Sequence, residues 1–294
     1  MTRLIWLASY PKSGNTWFRL LAANLSAEDE PVDINKIGER GGIASARDEF
    51  EFHTLLDSGL LTHDEADSLR PRVYQTMALE DDGEDLRLVK AHDAYLTSAS
   101  GEPLLGGALG ADRAILIVRD PRDVAPSLAN HRKIGLDAAI ALMADPGACF
   151  AASPRAQTPQ LRQRLLDWSG HAASWLGQTD LPVHLVRYED LQAAPLATFT
   201  AAMAFAGRQV LAADAERAVA FARFDRLQAQ EREQGFIEWR PGGASTLFFR
   251  RGQTEAWRSE LTAEQVQRIE SAHGPMMRRL GYALSREEGV QRAV

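Results

Sequence analysis

The feature that most limits the fold is a repeated pattern: a short unbroken apolar run, then a stretch with helical spacing. Leu4–Ala8 (LIWLA) precedes Asn15–Leu25, where Trp17, Leu20, Leu21, Asn24 and Leu25 recur at helical intervals. Leu86–Lys90 (LRLVK) and Ala114–Val118 (AILIV) repeat the strand signal. Asp120-Pro121 then opens a helix to about Arg132, and proline suits a first turn, where its missing N–H has no intrahelical role. Val183–Arg187 (VHLVR) is a fourth run, with Glu189–Ala206 as its helix. Leu161–Leu176 and Thr262–Leu280 read as amphipathic helices, and Asp29–Gly42 and Asp145–Pro159 as long loops. Strands apolar on both sides and separated by helices predict an α/β fold: a parallel sheet with helices on both faces. No internal repeat or linker interrupts it, so one domain is expected over residues 1–285, followed by a polar tail, 286–294.

Composition narrows the function. The 294 residues are 45% hydrophobic and 25% charged, enough for an ordinary core. A net charge of −7 argues against non-specific nucleic-acid binding but not against a small anion held by local cations. Cys149 is the single cysteine, which excludes an internal disulfide and a cysteine-based zinc site and fits a reducing, cytoplasmic setting. The apolar start is too short for a signal-peptide core, and no apolar run approaches the ~20 residues of a membrane helix.

The turn after the first strand, Ser9-Tyr-Pro-Lys-Ser-Gly-Asn-Thr16, lies where open α/β sheets bind ligands. Its backbone N–H groups and the helix N-terminus favour an anion. Against the kinase loop G-x-x-x-x-G-K-[ST], Gly14 and Thr16 align, but Ser9 stands at the first glycine and Asn15 at the lysine. The cation has moved upstream to Lys12. The first turn, Tyr10-Pro-Lys-Ser-Gly-Asn-Thr-Trp17, thus resembles the 5′-phosphosulfate loop of sulfotransferases, Y-P-K-S-G-x-T-W.

Four further segments resemble that family in its own order. Lys90-Ala-His92 is similar to its K-x-H segment. Val118-Arg-Asp-Pro-Arg-Asp-Val-Ala-Pro-Ser127 resembles its 3′-phosphate segment, with Arg119 and Ser127 eight residues apart. Tyr188-Glu-Asp-Leu191 and Phe249-Arg-Arg-Gly252 with Trp257 resemble the Y-E-D and R-K-G-x-x-G-x-W segments. The resemblance implies a P-loop-type sheet and 3′-phosphoadenosine 5′-phosphosulfate as donor, leaving adenosine 3′,5′-bisphosphate. It places Lys12 and the Ser13, Gly14, Asn15 and Thr16 backbone at the 5′ end. Arg119, Ser127 and Arg250, with the Arg251–Gly252 backbone, fall at the 3′ end. Tyr188 is expected near the adenine and Phe224 as its stacking face. Trp17 lines the slot from the loop side or belongs to the core.

Sulfuryl transfer needs a base for the acceptor proton, alignment, and charge neutralisation at the leaving oxygen. His92 is the candidate base, since imidazole titrates near neutrality. Lys12 sits where it would stabilise the leaving oxygen. Lys90 would stabilise the transferring group, as the resemblance implies. No residues have metal-ligand spacing, and the family's transfer uses no metal. His171, at offsets of three and four from Trp168 and Trp175, reads as packing, and His131 and His184 as structural.

The chain departs from the family at Asn15, for a common Thr, and at Glu255-Ala256, for Gly-Asp. In the animal cytosolic branch a segment after the tryptophan forms a dimer contact. Of its positions here, Arg258, Thr262, Ala263 and Gln267, only the threonine is kept. That dimer is not carried over, and a homo-oligomer stays open. The expected partner is a small-molecule acceptor of unread identity, bound by residues 29–80 and 134–160. The alternatives are an ATP-dependent small-molecule kinase and a non-catalytic nucleotide-binding protein. Asn15 at the kinase lysine position speaks against the first, and Lys12 with His92 against the second.

Overall fold

The computed structural model describes residues 3–39, 42–81, 83, 85–153, 158–239, 247–250, 252–285 and 287. Along the chain come β1 (Arg3–Ser9), α1 (Asn15–Asn24), α2 (Arg47–Thr54), α3 (His63–Met77), β2 (Leu86–Ala91), β3 (Arg113–Val118), α4 (Pro121–Arg132) and α5 (Leu136–Met143). A small hairpin of β4 (Cys149–Phe150) and β5 (Gln163–Arg164) precedes α6 (Trp168–Gly177) and β6 (Val183–Arg187). Helices α7 (Tyr188–Ala193), α8 (Pro195–Ala206), α9 (Ala212–Phe221), α10 (Phe224–Gln234), α11 (Trp257–Glu260) and α12 (Ala263–Arg279) complete it. Of the tail expected from Arg286, only Glu287 lies among the described residues.

The four apolar runs form one parallel sheet in the order β2-β1-β3-β6. Successive strand residues point to opposite faces, so β1 feeds two cores. Leu4, Trp6 and Ala8 pack with Phe50, Tyr74, Trp168 and Trp175. Ile5 and Leu7 face Phe18, Leu20, Leu21, Phe199 and Met203 on the other side. Each such side chain removed from water contributes roughly 1.5–3 kcal/mol.

Two helices differ from their sequence patterns. Leu161–Leu176 is not one helix: α6 begins at Trp168, and the residues before it are not helical, with Gln163–Arg164 forming β5 and Gln163 paired to Phe150. Leu161, Gln163 and Leu165 are buried while Arg162 and Arg164 between them are only partly covered, the period of a strand. Glu189–Ala206 is divided at Ala194, whose φ of −139° and ψ of 65° are not helical. Pro195 disfavours the α conformation in the residue before it, and then starts α8 at its first position. The loop 29–42 contains a short 3-10 turn, Ile34–Glu39.

Strand registry fixes where the functional turns emerge. Ala8 is level with Ala91, Ser9 with Ile117, and Val118 with Arg187. The chain therefore leaves all four strands at nearly one height. Lys12, His92, Arg119 and Tyr188 follow within a few residues. At the outer edge of β2, Ile43 forms a parallel bridge to Lys90. The Ala44 N–H donates to the Lys90 carbonyl at 2.8 Å, and the Lys90 N–H to that of Gly42 at 3.2 Å. Next to this edge Arg70, on α3, is fully buried and grips Asp93 through both guanidinium nitrogens, at 3.1 and 2.7 Å.

Candidate active site

The turn after β1 is shaped by two left-handed residues, Lys12 (φ 71°) and Gly14 (φ 107°). Gly14 has a second constraint: a Cβ there would lie 2.6 Å from Cδ2 of the Tyr188 ring. The turn leads into α1, whose first N–H groups lack intrahelical acceptors by the geometry of any helix start. Asn15 does not point into this cradle. Its amide donates back to the Leu7 carbonyl at 2.8 Å and to Ser9 Oγ at 3.2 Å, so the side chain staples the turn to β1. The position that carries the kinase lysine is thus structural here.

Lys12 lies 3.7 Å from the centre of the Phe248 ring. Burial, with Lys90 and Arg119 nearby, pushes its pKa down to about 7. Lys90 is lowered from the usual lysine value mainly by burial, while Glu238 works in the opposite sense. A cluster of cations at the end of the sheet is costly to keep charged, and an arriving anion would relieve it.

His92 follows β2. Its Nδ1 lies 2.8 Å from the Ser9 carbonyl, which can only accept, so Nδ1 carries the proton. The neutral ring then has its lone pair on Nε2. Burial and the neighbouring Lys90 hold its pKa well below the ordinary imidazole value, so the ring is neutral at neutral pH. His171 donates from Nε2 to the His92 carbonyl at 3.2 Å and packs edge-on against Tyr10. The helix face of Trp168, His171 and Trp175 is buried. His131 stacks on Trp239, and His184 on Phe205.

Arg119 makes no ion pair with Asp120, which is taken by Arg122 at 2.6 Å. Instead its guanidinium lies 4.3 Å from the centre of the Tyr188 ring and donates to the carbonyls of Lys12 (3.4 Å) and Gln253 (3.0 Å). It therefore ties the first turn to the C-terminal segment. Ser127 is partly buried midway along α4, two turns beyond Arg119. Arg250 is ion-paired with Glu260 at 2.8 Å. Gly252 has φ 59°, and a Cβ there would collide with the Phe224 ring. Gln192 donates to the Gly252 carbonyl. Arg251 lies outside the described residues. Trp17 donates to the Ala222 carbonyl at 2.9 Å and meets Tyr188 edge-on. Phe224 and Arg250 share an open depression of about 680 Å³ with Arg223, Asp225, Gln228 and Gln253.

The structure thus gathers Lys12, Lys90, His92, Arg119 and Tyr188 at the strand ends, with Phe224, Arg250 and Gly252 beside them. It also shows partners that no motif signalled. Asp123 accepts the backbone N–H groups of Glu255 (2.7 Å) and Trp257 (2.9 Å), and Glu231 accepts those of Phe248 and Phe249. Glu238 reaches Lys90, Arg19 and Thr16. Asp123 lies within the Val118–Ser127 segment and Glu238 between Ile237 and Trp239, yet nothing local names their partners, and only tertiary folding brings these acids to the site.

Comparison with known proteins agrees with this picture. A structure search finds retinol dehydratase in complex with androsterone and inactive cofactor PAP, at 18% identity and a TM-score of 0.57, covering 93% of this chain and 80% of that one. The mouse sulfotransferase SULT7A1 complexed with PAP is also similar, at 18% identity and a TM-score of 0.57, covering 94% and 84%. At such identity these likenesses establish a shared fold. A sequence search of curated proteins gives no significant match. The family profile described as "Sulfotransferase domain", in contrast, matches residues 2–281. With nearly its whole length matched, the chain belongs to the sulfotransferase domain family and is a sulfotransferase.

Proposed function

We propose that the enzyme moves the sulfuryl group of 3′-phosphoadenosine 5′-phosphosulfate to a hydroxyl or amine of a small-molecule acceptor, with His92 as general base. The observation that carries this reading is the fixed His92 ring. Its Nδ1–H is held by the Ser9 carbonyl, so a free Nε2 stands beside Lys90 and the first turn. In the transfer, the acceptor's proton passes to Nε2 and its oxygen or nitrogen bonds to sulfur. The sulfur–oxygen bond to the 5′-phosphate breaks, and Lys12 neutralises the charge left on that oxygen. Lys90 faces the transferring group. The 5′ end fits the left-handed turn over Ser13–Thr16, and Arg119, Ser127 and Arg250 offer cations and a hydroxyl to the 3′-phosphate. Tyr188, Trp17 and Phe224 supply flat surface for the adenine. The solved relatives bound to PAP support the choice of donor.

Adenosine 3′,5′-bisphosphate is expected to bind about 100-fold more tightly than AMP, from two or more charge-assisted contacts of ~1.5–3 kcal/mol each. Titration calorimetry against the bisphosphate, AMP and ATP measures this. Equal affinity for AMP and the bisphosphate would remove the 3′-phosphate site from the proposal.

Lys12 gives this binding a pH dependence. Free, it titrates near 7, and the bound anion raises its pKa. Below the free value Lys12 is already charged, so affinity is level. Above it, binding must take up a proton, and affinity falls about tenfold per pH unit until the bound pKa is reached. Calorimetry between pH 7 and 9, in buffers of different ionisation enthalpy, should show this uptake in the wild type and not in Lys12→Met. Equal uptake in both proteins would assign the proton elsewhere.

A further inference from the structure

The side chain of Glu238 lies among groups from two separate elements, α1 and β2. Its Oε1 accepts from Arg19 on α1 at 2.8 Å. Its Oε2 stands 3.5 Å from Lys90 Nζ at the end of β2 and 3.5 Å from the hydroxyl of Thr16. One carboxylate therefore joins the phosphate-type turn to the K-x-H segment. We propose that Glu238 is a positioning residue for sulfuryl transfer, which anchors Lys90 beside Thr16 and supplies the counter-charge that keeps its ammonium protonated. This inference rests on the role given to Lys90 above.

A carboxylate among candidate anion ligands has another reading, a stand-in that leaves when the donor arrives. The burial of Arg19 argues against it. Its side chain is 5% exposed, and Glu238 is its ion-pair partner; its other bond goes to the Ile37 carbonyl. Departure of Glu238 would strand a buried guanidinium, a strongly unfavourable state. The flanking residues are also fixed. Phe236 and Trp239 are buried, Trp239 stacks on His131, and the Ile237 N–H donates to Asn35 at 2.7 Å. Glu238 stays in place and works there.

Lys90 needs such a partner because its other charged neighbours oppose its charge. Arg19 on α1 is a cation, and Lys12 on the first turn is one below its pKa of about 7, while His92 and His131 close by are neutral and offer no counter-charge. Burial pushes in the same direction, and Glu238 is the group that counters both. The carboxylate itself is held down to about 2 by Lys90 and Arg19, so it stays charged through the working range.

The chain contains four lysines, Lys12, Lys36, Lys90 and Lys133, so Lys90 can be followed by NMR with ¹³C-labelled lysine and assigned through Lys90→Arg. In Glu238→Gln, Lys90 is expected to titrate roughly one to three pH units lower than in the wild type. The alkaline limb of turnover should move down by the same amount. The Lys90 part of this shift should vanish when Glu238→Gln is placed in a Lys90→Arg background, because guanidinium does not deprotonate there, leaving only the smaller shift that loss of Glu238 causes at Lys12. Glu238→Asp keeps the charge for Arg19 but draws it back from Lys90, so it should fold and show a smaller shift of the same sign. An unchanged Lys90 titration in both variants would overturn the proposal. A wild type with no sulfuryl transfer would overturn the functional reading instead, and the NMR shift would still report the pair.

Discussion

Replacing His92 by alanine is expected to lower turnover by about 10²–10⁴-fold while donor binding stays near wild type. In the proposed mechanism the ring meets the acceptor's proton, while the Ser9 carbonyl holds it from behind, so its loss would remove no nucleotide contact. Two signatures separate loss of a base from loss of structure. An acidic phenol, which ionises without help, should recover part of the activity of His92→Ala. It should not rescue Lys12→Ala, because the role proposed for Lys12 is at the leaving oxygen. In the wild type, the acid limb of turnover should fall below pH 6.5, because burial and Lys90 keep the ring neutral to lower pH. Steady-state kinetics with one acidic and one ordinary acceptor, for both variants, measures this. Equal rescue of the two variants, or full activity of His92→Ala, would mean that another group takes the proton.

Arg70→Leu should be the most damaging change outside the strand-end turns. The Arg70 guanidinium is enclosed, bonded to both oxygens of Asp93, to Tyr74 and to the Arg162 carbonyl. Its loss leaves the buried Asp93 carboxylate without its cation, and breaking such a pair costs about 3–5 kcal/mol. For a domain of this size that lowers the melting temperature by roughly 5–8 °C. Asp93 directly follows His92, so activity at low temperature should also suffer. Arg70→Leu combined with Asp93→Asn should recover part of the lost stability, since no uncompensated charge remains. Thermal melts of the single and double variants check both statements. A double variant that melts no higher than the single one would show that packing of the arginine stem, not charge, holds this region.

The central sheet could be read from the sequence because each strand is buried on both sides and so appears as an unbroken apolar run. Leu4–Ala8, Leu86–Lys90, Ala114–Val118 and Val183–Arg187 all fall within the observed strands. The region before α6 was misleading for a simple reason. Leu161 and Leu165 are four residues apart, a spacing that puts side chains on one face of a helix and equally on one face of a strand. The alternation of Leu161, Gln163 and Leu165 with Arg162 and Arg164 was the better signal, hidden because the middle inward residue is polar. Pro195 marked the break in the Glu189–Ala206 pattern, but the alanine-rich sequence on both sides masked it. At the site, the Lys12 turn and the Lys90–His92 pair could be found because their spacing is local. Glu238, Asp123 and Phe248 could not. Each meets partners far away in sequence, and its identity alone gives no hint of them.

The bridge between Ile43 and Lys90 bears on how such an enzyme could change its acceptor. The sixty-odd residues between α1 and β2 look at first like an interchangeable cassette inserted into the sheet scaffold. They are not detachable. Gly42 and Ala44 complete the hydrogen bonding of the edge strand at the very residue whose ammonium faces Glu238. Tyr74, from the same segment, reaches the Ala44 carbonyl at 2.6 Å and carries Arg70 with it. A graft that replaced the whole segment would unclip β2 and loosen Lys90 and His92 together. A productive exchange has its seams beyond the clip, so that Gly42–Ala44 and α3 travel with the scaffold and only the turns between them are traded. With acceptor binding assigned to this segment, as the sequence reading expects, the exchangeable stretch would be shorter than the sequence gap suggests.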